Sequence, residues 1–322
     1  MFILILVIIV LFIIINKSQN IEQLIPNIEK LIPNIVITNS YSIKGYNDLV
    51  NNKDFLYNCT EGGIPKIIIK TSWQTRDNFP LQMIESLDKT IGLNPEWSIF
   101  YFDDDEVDNF MKDFSNEYSI SIYNNIYSLY KKLIPGAFKA DLFRICCLYK
   151  YGGCYSDIGH TCLVGLDKVC SNSNIVLVCD INKDGFHGIH NAFMCTVPKH
   201  EFFRIAIKRL CYNIDNNFYG NTPLDITGPE ALGKIFNCFF NYKCDNQLEN
   251  LFVYGFKIYN CDKCNVKIIK FKEKGGLPYK ILDDDNQEII DAKFKDYYNV
   301  MYPPKKTPRY GELWNSRRVY NI

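Results

Sequence analysis

The strongest constraint on this chain lies between residues 138 and 157. A helix is expected over about residues 138–150, and Gly152-Gly153 stops it. The residues that follow, Cys154-Tyr155-Ser156, allow only a very short strand, which delivers Asp157 to its end. Glycine lets a chain turn this sharply and come close to a ligand. On the helix, Asp141 and Arg144 stand three apart and share a face, while Leu142, Phe143, Ile145 and Leu148 point largely elsewhere. Acid–base pairs at this spacing are common on solvated helices. The glycine break and the carboxylate beyond it set this pair apart.

The surrounding pattern alternates strands and helices. Strands are expected over residues 64–70, 97–102, 174–179 and 192–197, the second running into Asp103-Asp104-Asp105. Helices are expected over residues 198–212, with Pro198 in the first turn, and again after Thr227-Gly228-Pro229. Alternation of this kind predicts an α/β fold, a mostly parallel sheet with helices on both faces, with ligands beyond the carboxyl ends of the strands. A length of 322 residues with 47% hydrophobic side chains accommodates one large domain or two small ones. The formal net charge is zero, with 36 basic and 36 acidic side chains and no basic stripe, which argues against nucleic-acid binding.

Residues 1–15 form an unbroken apolar run closed by Asn16 and Lys17. Without a basic segment before it or a small-residue cleavage site after it, the run reads as an uncleaved signal anchor. The expectation is a single-pass membrane protein whose remaining chain is lumenal. Residues 16–63 carry a seven-residue repeat with a proline in each copy, Pro26 and Pro33, which interrupts any long coiled coil. They read as a stem before a domain over residues 64–322. Of the 13 cysteines, most lie in apolar segments, as Cys146-Cys147 and Cys179 do, and read as small core residues. Cys238, Cys244, Cys261 and Cys264 could bind zinc, but with only one C-x-x-C pair a disulfide pair or free thiols are the better reading.

Several segments carry a resemblance by their order and spacing. They are Ile64-Pro65-Lys66-Ile67-Ile68, Thr71-Ser72-Trp73, Pro95-Glu96-Trp97 before Asp103-Asp104, and Ala140-Asp141-Leu142-Phe143-Arg144. Gly152-Gly153-Cys154-Tyr155-Ser156-Asp157, Asn191-Ala192-Phe193-Met194 and Thr227-Gly228-Pro229 complete the set. Together they resemble the glycosyltransferases with a D-x-D sugar-binding motif, the family 32 mannosyltransferase-like group. More distantly they resemble the glucosyltransferase domain of large clostridial toxins. The resemblance implies a Rossmann-like GT-A fold, a UDP- or GDP-sugar donor, a divalent metal, usually Mn²⁺, and retention of anomeric configuration. A glycan, glycoprotein or glycolipid would be the acceptor. By match of position, Asp141 and Arg144 would hold donor sugar hydroxyls. Asp157 would be the first acid of the motif, contacting ribose, sugar and metal. Tyr155 would join the donor pocket and Trp73 would stack on the nucleobase. A dication suits such chemistry because the leaving diphosphate gains negative charge as the sugar departs.

The chain departs from the pattern where the second acid should stand: the segment reads Asp157-Ile158-Gly159-His160. Glycine offers no ligand, and all four histidines precede residue 201, so a late metal-binding histidine is missing too. His160 or a water would fill the gap, making Asp157 and His160 the candidate metal ligands. Alternatively the chemistry runs with a weak metal site or none, Arg144 offsetting the charge. The remaining reading is a catalytically inactive, membrane-tethered protein that binds carbohydrate or nucleotide sugar on the same fold. Asp103-Asp104-Asp105 reads as a helix cap and Asp283-Asp284-Asp285 as a solvated turn. His187-Gly188-Ile189-His190 has near-ligand spacing with little else to support it.

Overall fold

The computed structural model describes residues 43–120, 123–182, 185–239, 259–261, 264–272, 280–283, 286–294, 296–301 and 308–321. The apolar run over residues 1–15, the stem as far as residue 42 and Cys244 lie outside the described residues. Among the described residues no helix is long and apolar enough to cross a membrane.

The compact unit starts at Ile43 rather than Ile64. Helix α1 (Tyr46–Asn51) buries Tyr46 and Leu49, and Lys44 bridges in parallel to Phe100. Residues 43–63, read from sequence as the end of a stem, therefore pack onto the domain. Two buried side chains on so short a helix are too few to show a period.

Strand β1 (Ile67–Thr71) follows, then α2 (Leu81–Leu93), β2 (Ser98–Phe102), α3 (Asp104–Glu117), α4 (Ile126–Lys132), α5 (Gly136–Tyr151) and β3 (Gly153–Ser156). Next come β4 (Thr161–Cys162), α6 (Leu166–Cys170), β5 (Ile175–Asn182), β6 (Gly185–Thr196), α7 (Glu201–Asp215) and α8 (Pro229–Phe239). The C-terminal elements are β7 (Tyr259–Cys261), β8 (Cys264–Lys272), β9 (Lys280–Leu282), β10 (Glu288–Asp291), α9 (Tyr297–Met301) and α10 (Tyr310–Asn315). Pro229 opens α8 as expected, but Pro198 stands before α7, whose cap is the His200 ring accepting from the Phe202 N–H at 3.2 Å.

The sheet runs β2-β1-β3-β6-β5-β8-β9-β10-β4, with β7 paired to β8. Parallel pairing joins β1 to β2, β1 to β3 and β5 to β8. The other ladders are antiparallel, so the mostly parallel expectation describes the β2-β1-β3 end and the β5-β8 pair of a mixed sheet. The reason is connectivity: β6 follows β5 without a helical crossover, and strands joined directly run antiparallel.

Helices cover both faces. Ile67 and Ile69 pack with Phe110, Phe143 and Phe202 on one side, and Ile68 packs with Met83, Leu87 and Val169 on the other. A strand buried on both faces reads as a continuous apolar run, which is why β1 was legible. Helix α5 is buried from Asp141 through Tyr149, so its polar face also points inward.

Gly152 and Gly153 both have positive φ, 68° and 84°. A Cβ on Gly153 would lie 2.3 Å from Ile67 Cγ1 and 2.8 Å from the Ile67 carbonyl oxygen. The helix-to-strand turn thus needs glycine for its dihedral and for its closeness to β1. Gly153→Ala should cost about 3 kcal/mol in urea denaturation. Gly92→Ala, in α2 with nothing within 4 Å of its added Cβ, should instead stabilise by roughly 0.5–1 kcal/mol.

Candidate functional site

At the carboxyl ends of β1 and β3, the buried guanidinium of Arg144 joins three elements. Its Nη1 lies 3.2 Å from Asp157 Oδ1 and donates to the Asn191 carbonyl at 2.8 Å, while Nη2 lies 3.6 Å from Asp141 Oδ1. The plane sits over the Tyr155 ring at 4.5 Å. Asp141 also accepts from Asn191 Nδ2 at 2.8 Å through Oδ1 and from the Thr227 hydroxyl at 2.9 Å through Oδ2. Asp157 Oδ1 accepts from the Tyr155 hydroxyl at 3.0 Å, and its backbone N–H donates to the Ala192 carbonyl at 2.8 Å. The structure therefore brings Asp141, Arg144, Tyr155 and Asp157 together. It adds Asn191 and Thr227, which the sequence showed only as pieces of matched segments.

Burial pushes the Asp141 carboxyl up to about 6, against the pull of Arg144 and the hydrogen bonds from Thr227 and Asn191. Burial acts on Asp157 too, but Arg144, with Lys293 and the Tyr155 hydroxyl, holds it below the usual carboxylate range. Burial works against the charge on Arg144, while Tyr155, Asp157 and Asp141 keep it a cation throughout. A buried carboxylate, Asp141, and a partly exposed neighbour, Asp157, with pKa values pushed apart form an arrangement that can hold hydroxyl groups and meet a charged leaving group.

Beyond β3 the turn is held from below by Lys70, a fully buried lysine on β1. Its Nζ donates to Ser156 Oγ (3.3 Å) and to the carbonyls of Asp157 (3.1 Å) and His160 (3.2 Å), with Ser156 O at 3.4 Å. His160 is 2% exposed, with Nδ1 3.4 Å from Ser156 Oγ and its ring stacked 6.2 Å from His190. Burial drives the His160 pKa well below its ordinary value and that of His190 down to about 4, so both rings are neutral at pH 7. Among the described residues no group of three His, Cys, Asp or Glu side chains is placed to hold a metal ion. Of the two candidate ligands, His160 is buried against Ser156 and His190, which leaves Asp157, with its side chain 29% exposed, as the one oxygen ligand of the pair.

Trp73 is 57% exposed on the loop beyond β1, so its ring is available for stacking. Asp103 caps α3, its carboxylate accepting from the Glu106 N–H at 3.0 Å, as expected. Asp283 forms a turn, accepting from the Gln287 N–H at 2.8 Å, while Asp284 and Asp285 lie outside the described residues. The side chains of His187, Cys179, Cys238, Cys261 and Cys264 lie outside them too. Cys146 and Cys147 are buried free thiols. A cleft of about 700 Å³ opens beside the site, lined by Thr71, Asp104, Asp108, Lys131, Lys139 and Ala140. Asp141, Arg144 and Asp157 are not among its lining residues.

Residues 80–176, which hold Asp141, Arg144, Tyr155 and Asp157, match the family model of the glycosyltransferase sugar-binding region containing DXD motif. That match covers under a third of the chain. The mannosyl phosphorylinositol ceramide synthases CSH1 and SUR1 of Saccharomyces cerevisiae are each 31% identical over 147 residues, 46% of this chain. That stretch is 35% of each relative, so the chain spans about a third of the length of the curated relatives it matches. Among solved structures, the PaToxG glycosyltransferase overlaps 60% of this chain and 78% of its own, at 15% identity and a TM-score of 0.41. The catalytic domain of alpha-toxin from Clostridium novyi overlaps 62% of this chain and 67% of its own, at 11% identity and a TM-score of 0.35. As a family, DXD glycosyltransferases generally use a nucleotide sugar and a divalent metal.

The Asp141 shift predicts a pH dependence of stability. The folded chain keeps the proton to about pH 6, whereas the unfolded chain loses it near 3.8. Stability present below that lower value is therefore lost as pH rises through about 6. The unfolding free energy of wild type relative to Asp141→Asn should fall by roughly 2 kcal/mol between about pH 4 and pH 6.5. Urea denaturation across that range measures it, and a pH-independent difference would return Asp141 to the ordinary carboxylate range.

Proposed function

We propose that this chain is a GT-A-type glycosyltransferase that moves a hexose from a nucleotide diphosphate sugar to a hydroxyl group of a glycan, glycoprotein or glycolipid. The observation that carries the reading is the bridge from Arg144 to both Asp141 and Asp157 at the end of β3, inside the matched region. The similarity to the yeast mannosyl phosphorylinositol ceramide synthases favours a mannosyl donor and a lipid-linked acceptor. The apolar run over residues 1–15 favours attachment to a membrane, with the domain on the lumenal side.

In this mechanism Asp141, held rigidly by Asn191 and Thr227, accepts hydrogen bonds from donor hydroxyls when ionised. Arg144 donates to donor oxygens with a fork that the two carboxylates and the Tyr155 ring keep in one orientation. Asp157 binds the ribose and sugar side of the donor, and Trp73 stacks on the base. The bond from the anomeric carbon to the diphosphate oxygen breaks, and its electron pair stays on that oxygen. The acceptor oxygen bonds to the same carbon on the same face, giving retention, and its proton passes to the departing diphosphate.

A panel of UDP- and GDP-sugars offered to the full chain tests the reading. Hydrolysis or transfer of one donor is expected, with Asp157→Ala slowing it by on the order of 100-fold. Proton NMR of the first product should show the donor's anomeric configuration. A donor that binds in calorimetry without being turned over would instead identify an inactive binding protein, and no binding to any nucleotide sugar would sink both readings.

A further inference from the structure

The side of Asp157 where a second acid would stand is closed by the C-terminal part of the chain. Strand β10 pairs with β4, Asp291 opposite Thr161, and Ala292, Phe294 and Tyr297 follow it across the turn after β3. Phe294 donates its backbone N–H to the Gly159 carbonyl at 3.0 Å. A Cβ on Gly159 would lie 2.7 Å from Tyr297 Cε2 and 3.1 Å from the Ala292 carbonyl oxygen. No carboxylate enters that position unless the ring or the backbone moves.

The same segment supplies a cation. Lys293 is half-buried, with its ammonium 4.1 Å from the centre of the Tyr297 ring. Burial lowers the Lys293 pKa, and the Asp157 carboxylate pulls it back towards the charged form. Among the described residues Lys293 has no carboxylate partner at ion-pair distance. An ammonium held on an aromatic face beside a carboxylate it does not pair with keeps N–H donors for an incoming anion.

We propose that Lys293, held by Tyr297, and Arg144 supply the positive charge that meets the donor's diphosphate in this chain, in place of a resident dication. This rests on the glycosyltransferase reading above. Two fixed cations set against Asp141 and Asp157 leave no surplus carboxylate charge to draw a third, and they stabilise the oxygen that keeps the electron pair when the sugar departs. The Tyr297 ring fills the space beside Gly159 and carries the Lys293 ammonium on its face.

Calorimetry on the full chain with UDP, GDP and inorganic pyrophosphate, in EDTA and again in Mn²⁺, tests this without depending on turnover. Binding of at least one of the three in EDTA is expected, changed less than threefold by Mn²⁺. Lys293→Met should weaken it at least tenfold while melting within a few degrees of wild type, and Lys293→Arg should restore most of it. Binding that requires Mn²⁺, or that survives Lys293→Met unchanged, overturns the inference and leaves the transferase reading standing. If wild type binds none of the three under either condition, the diphosphate site itself is wrong and both readings fall. Should Lys293→Met unfold, the comparison of EDTA with Mn²⁺ on wild type and Lys293→Arg still decides.

Discussion

Much of this structure depends on burying one guanidinium. Moving an ion the size of Arg144 out of water costs several kcal/mol, and the fold recovers that only through well-placed counter-charges. Asp141 on α5 and Asp157 after β3 supply them, and the Asn191 carbonyl on β6 and the Tyr155 ring complete the shell. Thr227, just ahead of α8, then holds the far oxygen of Asp141. Helix, strand end, neighbouring strand and the approach to the next helix are thus tied at one point, and removing any partner leaves the rest in debt to water.

A second buried cation acts on the backbone. Lys70 sits under the turn after β3 and gathers the Asp157 and His160 carbonyls and the Ser156 hydroxyl. It cannot pair with a carboxylate from there, so it shapes the loop rather than neutralising it. On the open side Tyr297 and the Ala292 carbonyl close over Gly159, and Lys293 sits on the Tyr297 ring. The pocket therefore balances two carboxylates with side-chain cations before any ligand arrives. That distinguishes it from a site built to wait for a dication, which would present surplus carboxylate.

How much of the site the sequence revealed depended on chain distance. Asp141, Arg144 and Asp157 were legible because one helix, one glycine turn and one short strand place them, and each signal is local. Tyr155 came with them, since it is part of that strand. Asn191 and Thr227 stood in recognisable segments, but nothing in those segments said that both would converge on Asp141. His160 was expected to point at a metal; burial against Ser156 and His190 gives it another setting. Lys293 and Tyr297 carried no motif, because their meaning arises only from the pairing of β10 with β4.

The sequence by itself determined the alternation of strands and helices, the glycine turn and the placing of Asp157 at a strand end. Apolar runs, positive-φ glycines and i,i+3 spacing are short-range properties that need no knowledge of neighbours. Only the tertiary structure decided the mixed sheet, the packing of residues 43–63 onto the domain and the occupation of the space beside Gly159. Each depends on which strands lie side by side, and strand order is set by burial over the whole core rather than by any one segment. The missing acid could be read as a gap from the sequence alone; that a tyrosine and the backbone at Ala292 close it is a fact about the sheet.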